Sequence, residues 1–266
     1  MTTQIHATAI VASGAEIDKD VEIGPYSVIG PYVKLAARCK VGPHAVIEGR
    51  TEIGEETRVF QFASVGAQPQ DLKFHDEPSR LVIGSHNMIR EFVTLQPGTE
   101  HGGMLTTIGS HNLFMANSHV AHDCIVGDYN VFANSAALAG HVTIGNRIVV
   151  GGLVGIHQFV KVGDFAMLGG GAMVSRDVPP YCIAQGDHAE LRGINIIALK
   201  RNKFSDEDIL AIKKGFRHLF LHAGNFEDKV ASLPDNVKTN AAIKTVIEFV
   251  QTSNRGVCRA AVTLDS

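Results

Sequence analysis

Aliphatic residues recur at every sixth position of this chain: Ile5, Val11, Ile17, Ile23, Ile29, Leu35, Val41, Ile47, Ile53, Val59 and Val65. The series resumes at Ile83, Ile89 and Leu95. It returns once more from Ile108 through Phe114, Val120, Val126, Phe132, Leu138, Ile144, Val150, Ile156, Val162 and Leu168 to Val174. Glycine often follows the aliphatic residue, as at Gly24, Gly42, Gly54, Gly127 and Gly145. A helix repeats near 3.6 residues and a strand by 2, so neither has this period alone. Hexapeptide repeats belong to parallel β-helices, in which each hexad forms one flat side of a coil. Three sides close an 18-residue triangular turn, with the aliphatic side chain pointing into the prism. These hexads predict a parallel β-helix of about nine coils, roughly 40 Å long at the usual strand spacing.

Two breaks interrupt the repeat. The first, near 66–81, contains Gln68-Pro69-Gln70-Asp71-Leu72-Lys73-Phe74-His75-Asp76-Glu77-Pro78. The step from Val65 to Ile83 equals one coil, so this loop is expected to replace one turn's worth of sides. The second, near 97–107, carries Pro97-Gly98-Thr99-Glu100-His101-Gly102-Gly103. A rigid repeat has no need of such loops, which makes them candidates for function. Hexads stop at Asp177-Val178-Pro179-Pro180-Tyr181, and the period changes. A short helix is expected over Leu191–Lys200. Ser205 with Asp206, Glu207 and Asp208 marks a helix start, followed by Ile209, Ile212, Phe216, Leu219 and Phe220 at helical spacing. A further helix is expected over Ala241–Gln251. The chain thus divides into a β-helix, 1–186, and a small C-terminal helical domain, 187–266.

Composition narrows the partners. The chain has 266 residues, 45% of them hydrophobic, and a formal net charge of −3, which points to neither nucleic acid nor membrane as the main partner. The 27 glycines suit repeated tight corners. The cysteines (Cys39, Cys124, Cys182, Cys258) form no CxxC pair. Cys39 and Cys124 fall at the small inward hexad position and read as buried free thiols. No basic-then-apolar leader precedes Ile5, and no apolar run reaches the ~20 residues that span a bilayer. A cytoplasmic protein is expected.

Residues eighteen apart lie one above another on the same face of the prism, and this locates a candidate site. His122 stacks under Gly140 and Gln158, Asp123 under His141 and Phe159, and Ala121 under Ala139 and His157. One edge of three coils therefore carries His122, Asp123, Gly140, His141, His157 and Gln158, with His119 just before it. A neutral imidazole is a usual base for a hydroxyl or amine nucleophile, and a neighbouring carboxylate can orient it. A glycine one coil up offers a backbone N–H for a developing oxyanion. Two alternatives stay open: polar prism corners with no task, and a metal held by His119-x-x-His122 plus His141.

Further segments run in order along the chain: Gln61-Phe62-Ala63-Ser64, Gln70-Asp71-Leu72-Lys73, His119-x-Ala121-His122-Asp123-Cys124, Leu138-Ala139-Gly140-His141-Val142, His157-Gln158-Phe159 and Asp177-Val178-Pro179-Pro180-Tyr181. Ala184-Gln185-Gly186 and Asn195-x-x-x-Leu199-Lys200-Arg201 follow. Together they resemble the acyl-ACP–UDP-N-acetylglucosamine O-acyltransferases, which open lipid A biosynthesis, over essentially the whole chain. The resemblance implies a left-handed parallel β-helix, a homotrimer with sites between neighbouring prisms, and no metal or prosthetic group. The acyl donor is carried on the phosphopantetheine of acyl carrier protein. It further implies His122 as general base toward the glucosamine 3-hydroxyl, Asp123 as its orienter and the Gly140 N–H as oxyanion donor. Asp71 and Lys73 would contact the sugar. Gln70, His119, His141, His157 and Gln158 would line the sugar and phosphopantetheine region, and His188, Asn195 and Arg201 would meet the nucleotide, with Arg201 on the diphosphate.

Two departures from the family pattern stand near the nucleotide: Ile197 where a glutamate is expected, and Asn202 where a second arginine is common. Gly170 matches the floor of the acyl groove, where glycine leaves room for a longer chain; it reads equally as a corner glycine in Gly169-Gly170-Gly171. Lys200, Arg201, Lys203, Lys213, Lys214 and Arg217 suit either steering of an acidic carrier protein or a solvated helix face. Transfer to a 3-amino sugar, giving an amide, is the near alternative in function. A zinc-dependent lyase of the trimeric β-helical carbonic anhydrase type is the distant one.

Overall fold

A strand of two residues cannot stand alone; it persists only where neighbours complete its hydrogen bonds and bury its apolar side chain. The computed structural model describes residues 2–261, and in it every hexad position from Ile5 to Val174 ends a strand of two or four residues. Successive strands go to different sheets, and strands one coil apart pair in parallel, as Ile5 with Ile23 and Leu138 with Ile156. The result is a three-sided parallel β-helix whose sheets hold 11, 9 and 8 strands among the described residues. From Ile23 onward all hexad side chains are buried, and Phe114 and Phe132 stack inside the prism with ring centroids 4.7 Å apart. Ile5, in the first coil, is 48% exposed. The four cysteines are free and buried, and burial pushes the Cys124 thiol up to about 12.

The prism corners fall on residues with φ near +60°, including Asp123, His141 and Phe159 on one edge. Left-handed backbone costs an L-residue energy unless its surroundings hold it there, and Asp and His tolerate it better than most. Here the coils above and below supply the hold, since the His141 N–H donates to the carbonyl of His122 at 3.0 Å.

The first break differs from expectation. Val65 pairs with Leu95 and Ile53 with Ile83, so the loop does not replace a turn's worth of sides. It adds twelve residues at the corner between the second and third sheets, and the strand Arg80–Ile83 continues the stack. The second loop adds seven residues at the same corner one coil later, since Leu95 pairs with Val120. The triangle tolerates insertion there because a corner contributes little to the strand ladders. Both loops therefore rise from the edge that carries His122 and Asp123.

The C-terminal region differs in one place. The helix expected from Leu191 starts later: Glu190–Ile194 is a strand, antiparallel to Cys182–Gln185 and continuing the first sheet. Gly193, at φ +147°, breaks the run, and Asn195 caps a short helix α1, Ile196–Arg201. Helix α2, Asp206–Phe216, starts at Ser205 as expected and runs into a π-helical turn, Arg217–Leu221. Helices α3 (Phe226–Ala231) and α4 (Asp235–Lys238) precede α5, Ala241–Gln251, whose bounds match the sequence reading. The chain then returns to the prism, where Ser253 Oγ donates to the Asp177 carboxylate at 2.7 Å. Residues 262–266 of the expected helical domain lie outside the described residues. Among those described, no helix is long and apolar enough to cross a membrane.

Candidate active site

The corner after the strand His119–Val120 carries His122 and Asp123, each only 6% exposed. His122 Nδ1 lies 2.8 Å from Asp123 Oδ2. A carboxylate only accepts, so this bond places the proton on Nδ1 and leaves Nε2 with its lone pair. Nε2 is 3.9 Å from Asp71 Oδ2, which descends from the first loop. Gly140 backs the same ring, since a Cβ there would stand 2.5–2.6 Å from His122 Cε1 and Nε2. The Gly140 N–H donates to no protein acceptor among the described hydrogen bonds. A base, an orienting carboxylate and a free backbone donor thus meet at one point.

His141 lies edge-on to His122 at 5.1 Å between ring centroids and stacks flat on Phe159 at 4.4 Å. Burial holds its imidazole below the ordinary value; Asp123 opposes the shift and His122 adds to it. His157 and Gln158 continue the edge and are exposed, with His157 Nδ1 donating to the Gln158 carbonyl at 3.2 Å. Gln70 and Lys73 are exposed on the first loop. The Gln70 N–H donates to Gln96 Oε1, and the Lys73 N–H donates to Asp71 Oδ1 at 3.0 Å, which fixes the turn.

Other expected residues lie apart. His119 points along the second sheet, with Nδ1 2.7 Å from Thr94 Oγ1, and burial lowers its pKa. With Ala137, Ala139, Gly155, Ile156, His157 and Met173 it lines a largely apolar groove of about 450 Å³. Gly170 sits at the corner between the first and second sheets, across the second sheet from His122, where an added Cβ would make only an ordinary contact with Gly152. His188 is exposed at the turn of the terminal hairpin, and Arg201 is exposed at the end of α1 with no acidic partner among the described ion pairs. Asn195 does not reach outward. It is 5% exposed, its Oδ1 accepts from the Ala198 N–H, and its Nδ2 donates to the Phe165 carbonyl. No described hydrogen bond or ion pair joins these C-terminal residues to the His122 edge.

A three-nitrogen metal set is not formed either. The ligand-type atoms that lie within 4.8 Å of one another belong to His122, Asp123 and His141, without His119. Sequence reasoning missed what holds Asp123. Its Oδ1 accepts from the Thr99 N–H at 2.8 Å and its Oδ2 from the Thr99 hydroxyl at 2.6 Å, while its own N–H donates to Thr106 Oγ1. The signal was the 25-residue coil step, which sets Gly98 beneath Asp123 once the second loop is placed on this corner.

Comparison with known proteins decides the family. The acyl-[acyl-carrier-protein]–UDP-N-acetylglucosamine O-acyltransferase of Syntrophobacter fumaroxidans is 48% identical over 257 residues, spanning 96% of this chain and all of the relative. The chain belongs to the UDP-N-acetylglucosamine O-acyltransferase family. The enzyme of the same description from Thermodesulfovibrio yellowstonii is 45% identical over 96% of this chain and 99% of its own. The solved structure of LpxA from Acinetobacter baumannii superposes with a TM-score of 0.93 at 42% identity, covering 96% of this chain and 99% of that one. Residues 177–258 match the profile described as UDP N-acetylglucosamine O-acyltransferase, domain 2, and residues 105–140 match the bacterial transferase hexapeptide repeats. The superposition spans 96% of this chain, so it takes in the helical tail as well as the prism.

Proposed function

We propose that this protein moves a 3-hydroxyacyl chain from acyl carrier protein to the 3-hydroxyl of UDP-N-acetylglucosamine, the first step of lipid A biosynthesis, with His122 as general base. The observation that carries the reading is the 2.8 Å bond from His122 Nδ1 to Asp123, which leaves Nε2 free beside Gly140. Nε2 takes the proton of the sugar hydroxyl as that oxygen attacks the thioester carbon. The tetrahedral oxyanion draws on the Gly140 N–H. As the intermediate collapses, the C–S bond breaks and the leaving phosphopantetheine sulfur takes the proton from the His122 imidazolium. The products are the 3-O-acyl sugar nucleotide and carrier protein with a free thiol, and His122 is neutral again.

Asp71 and Lys73 bind the sugar from the first loop, with Gln70, His141, His157 and Gln158 around sugar and phosphopantetheine. The groove beside His119 suits the acyl chain, with Gly170 at its far margin. Arg201 carries a charge unmatched by described ion pairs, which suits a diphosphate. His188 and Arg201 act on the nucleotide, and Asn195 serves by capping α1. A homotrimer that brings one protomer's helical tail to the next protomer's His122 edge would complete the site. The exposed basic residues of the tail suit an acidic carrier protein, and a cytoplasmic location suits both substrates.

Turnover of UDP-N-acetylglucosamine with a panel of 3-hydroxyacyl carrier proteins tests the reading, comparing wild type with His122→Ala. A loss of roughly 10²–10⁴-fold in the variant is expected. Near-wild-type turnover in H122A overturns the base assignment. Activity confined to a 3-amino sugar nucleotide converts the reaction to amide formation. Light scattering of the purified protein checks the trimer.

A further inference from the structure

The second loop has no place in the proposed reaction so far, yet it wraps the orienting carboxylate. Thr99 is 2% exposed and gives Asp123 two hydrogen bonds, one to each oxygen. Gly98 and Gly102 come so close that a Cβ on either would run into the Asp123 carboxylate. The loop is tied down in turn. The Thr99 carbonyl accepts from the Gly102 and Met104 N–H groups, and the next residue's N–H, on Glu100, donates to Glu77 Oε1 at 3.0 Å. Glu77 also takes the His75 N–H at 2.7 Å, so one carboxylate spans both inserted loops. Burial alone would raise the Glu77 pKa, but these N–H donors outweigh it and hold the carboxyl below its usual range.

We infer that Thr99 is a positioning residue of the acyl transfer: its hydroxyl locks the rotamer of Asp123, and Asp123 thereby locks the tautomer of His122. The inference rests on His122 being the base. The physical case is a count of acceptor sites. Asp123 Oδ2 receives both the Thr99 hydroxyl at 2.6 Å and His122 Nδ1 at 2.8 Å. The Thr99 N–H pins the other oxygen, so rotation about Cβ–Cγ would break three bonds together. Without the hydroxyl the carboxylate keeps only the Thr99 N–H besides the His122 bond it is meant to aim, and Nε2 loses its fixed aim. Asp71 at 3.9 Å and the His141 ring at 5.1 Å face the same imidazole and offer it no substitute bond of hydrogen-bond length.

The test uses the full-length enzyme with acyl carrier protein and UDP-N-acetylglucosamine. Thr99→Val replaces the hydroxyl with a methyl and should lower kcat about 10- to 100-fold, the scale of a small misplacement of a reacting group. KM for the sugar nucleotide should stay within about threefold, and Thr99→Ser should restore kcat to near wild type, as the retained hydroxyl requires. The same T99V change made in an Asp123→Ala background should cost less than about twofold, because its target is already gone. Thr99→Ala serves as a second hydroxyl-free variant, so the comparison survives misfolding of either one. Unchanged kcat in T99V overturns the inference. So do equal losses in T99V and T99S, or losses that add in the D123A background, since each marks Thr99 as packing alone. Wild-type turnover in H122A is a different result: it removes the base assignment on which the inference stands.

Discussion

Gly140→Ala isolates the contact between backbone and base. The added Cβ would stand 2.5 Å from His122 Cε1 and 2.6 Å from Nε2, where unbonded heavy atoms prefer about 3.5 Å. The ring must therefore retreat by about 1 Å, while its other end is held at 2.8 Å by Asp123. A displacement of that size at a reacting group costs on the order of 10²-fold. Any disturbance of the Gly140 N–H adds to it, since loss of one oxyanion donor costs about 10²–10³. We expect kcat to fall 10²- to 10³-fold. Stability should hardly change. The nearest atoms to the new methyl all belong to one side chain, and Gly140 is not among the residues at positive φ. The assay is single-turnover acyl transfer at saturating carrier protein, paired with a thermal melt. A melt like wild type together with kcat within threefold of wild type would refute the reasoning, because the ring would have proved free to move without penalty.

Other consequences follow from burial, tethering and charge. Leu138→Ala, at a position with no exposure, should cost about 2–5 kcal/mol and lower the thermal midpoint clearly, whereas Ile5→Ala, at 48% exposure, should leave it near wild type. Glu77→Ala cuts the tie between the two loops and should both raise KM for the sugar nucleotide, through the first loop, and lower kcat, through the Thr99 loop, read by steady-state kinetics. Burial depresses the His119 pKa, with His122 adding to the effect, so the folded state favours the neutral ring. That contribution is present above the unfolded value of about 6.5 and is lost as pH falls below it. His119→Gln should accordingly flatten the fall of the melting midpoint between neutral and mildly acidic pH.

The repeat made the prism legible because a period of six has one structural reading. Each hexad aliphatic from Ile23 to Val174 proved to be core, and simple addition of eighteen placed His122 against Gly140. What it concealed was any contact across a coil of another length. Taking the first loop as a substitute turn hid the 30-residue coils and the approach of Asp71, and leaving the second loop without a corner hid the 25-residue coils and the grip of Thr99 on Asp123. The hairpin strand Glu190–Ile194 was hidden for another reason. Leu191 and Ile194, three apart, fit one face of a helix rather than the alternation of a strand, and only Gly193, at positive φ, marks the departure from helix. Asn195 illustrates the same limit at the level of a side chain, since no pattern reveals that its amide is already engaged within the fold.

Because every hexad strand pairs with one a single coil away, the prism is a nearest-neighbour ladder, and this governs how it assembles. Most rungs close over 18 residues, the rungs spanning the first loop over 30, and those spanning the second over 25. Chain-closure entropy grows only as the logarithm of length, so stretching a rung from 18 to 30 residues costs about 0.5 kcal/mol. A growing stack can absorb that from one additional buried aliphatic side chain, worth roughly 1.5–3 kcal/mol. Folding can therefore zip along the axis through the coils that carry the chemistry without a bottleneck there. A ladder of this kind can carry long excursions at a corner while its rungs continue to register above and below.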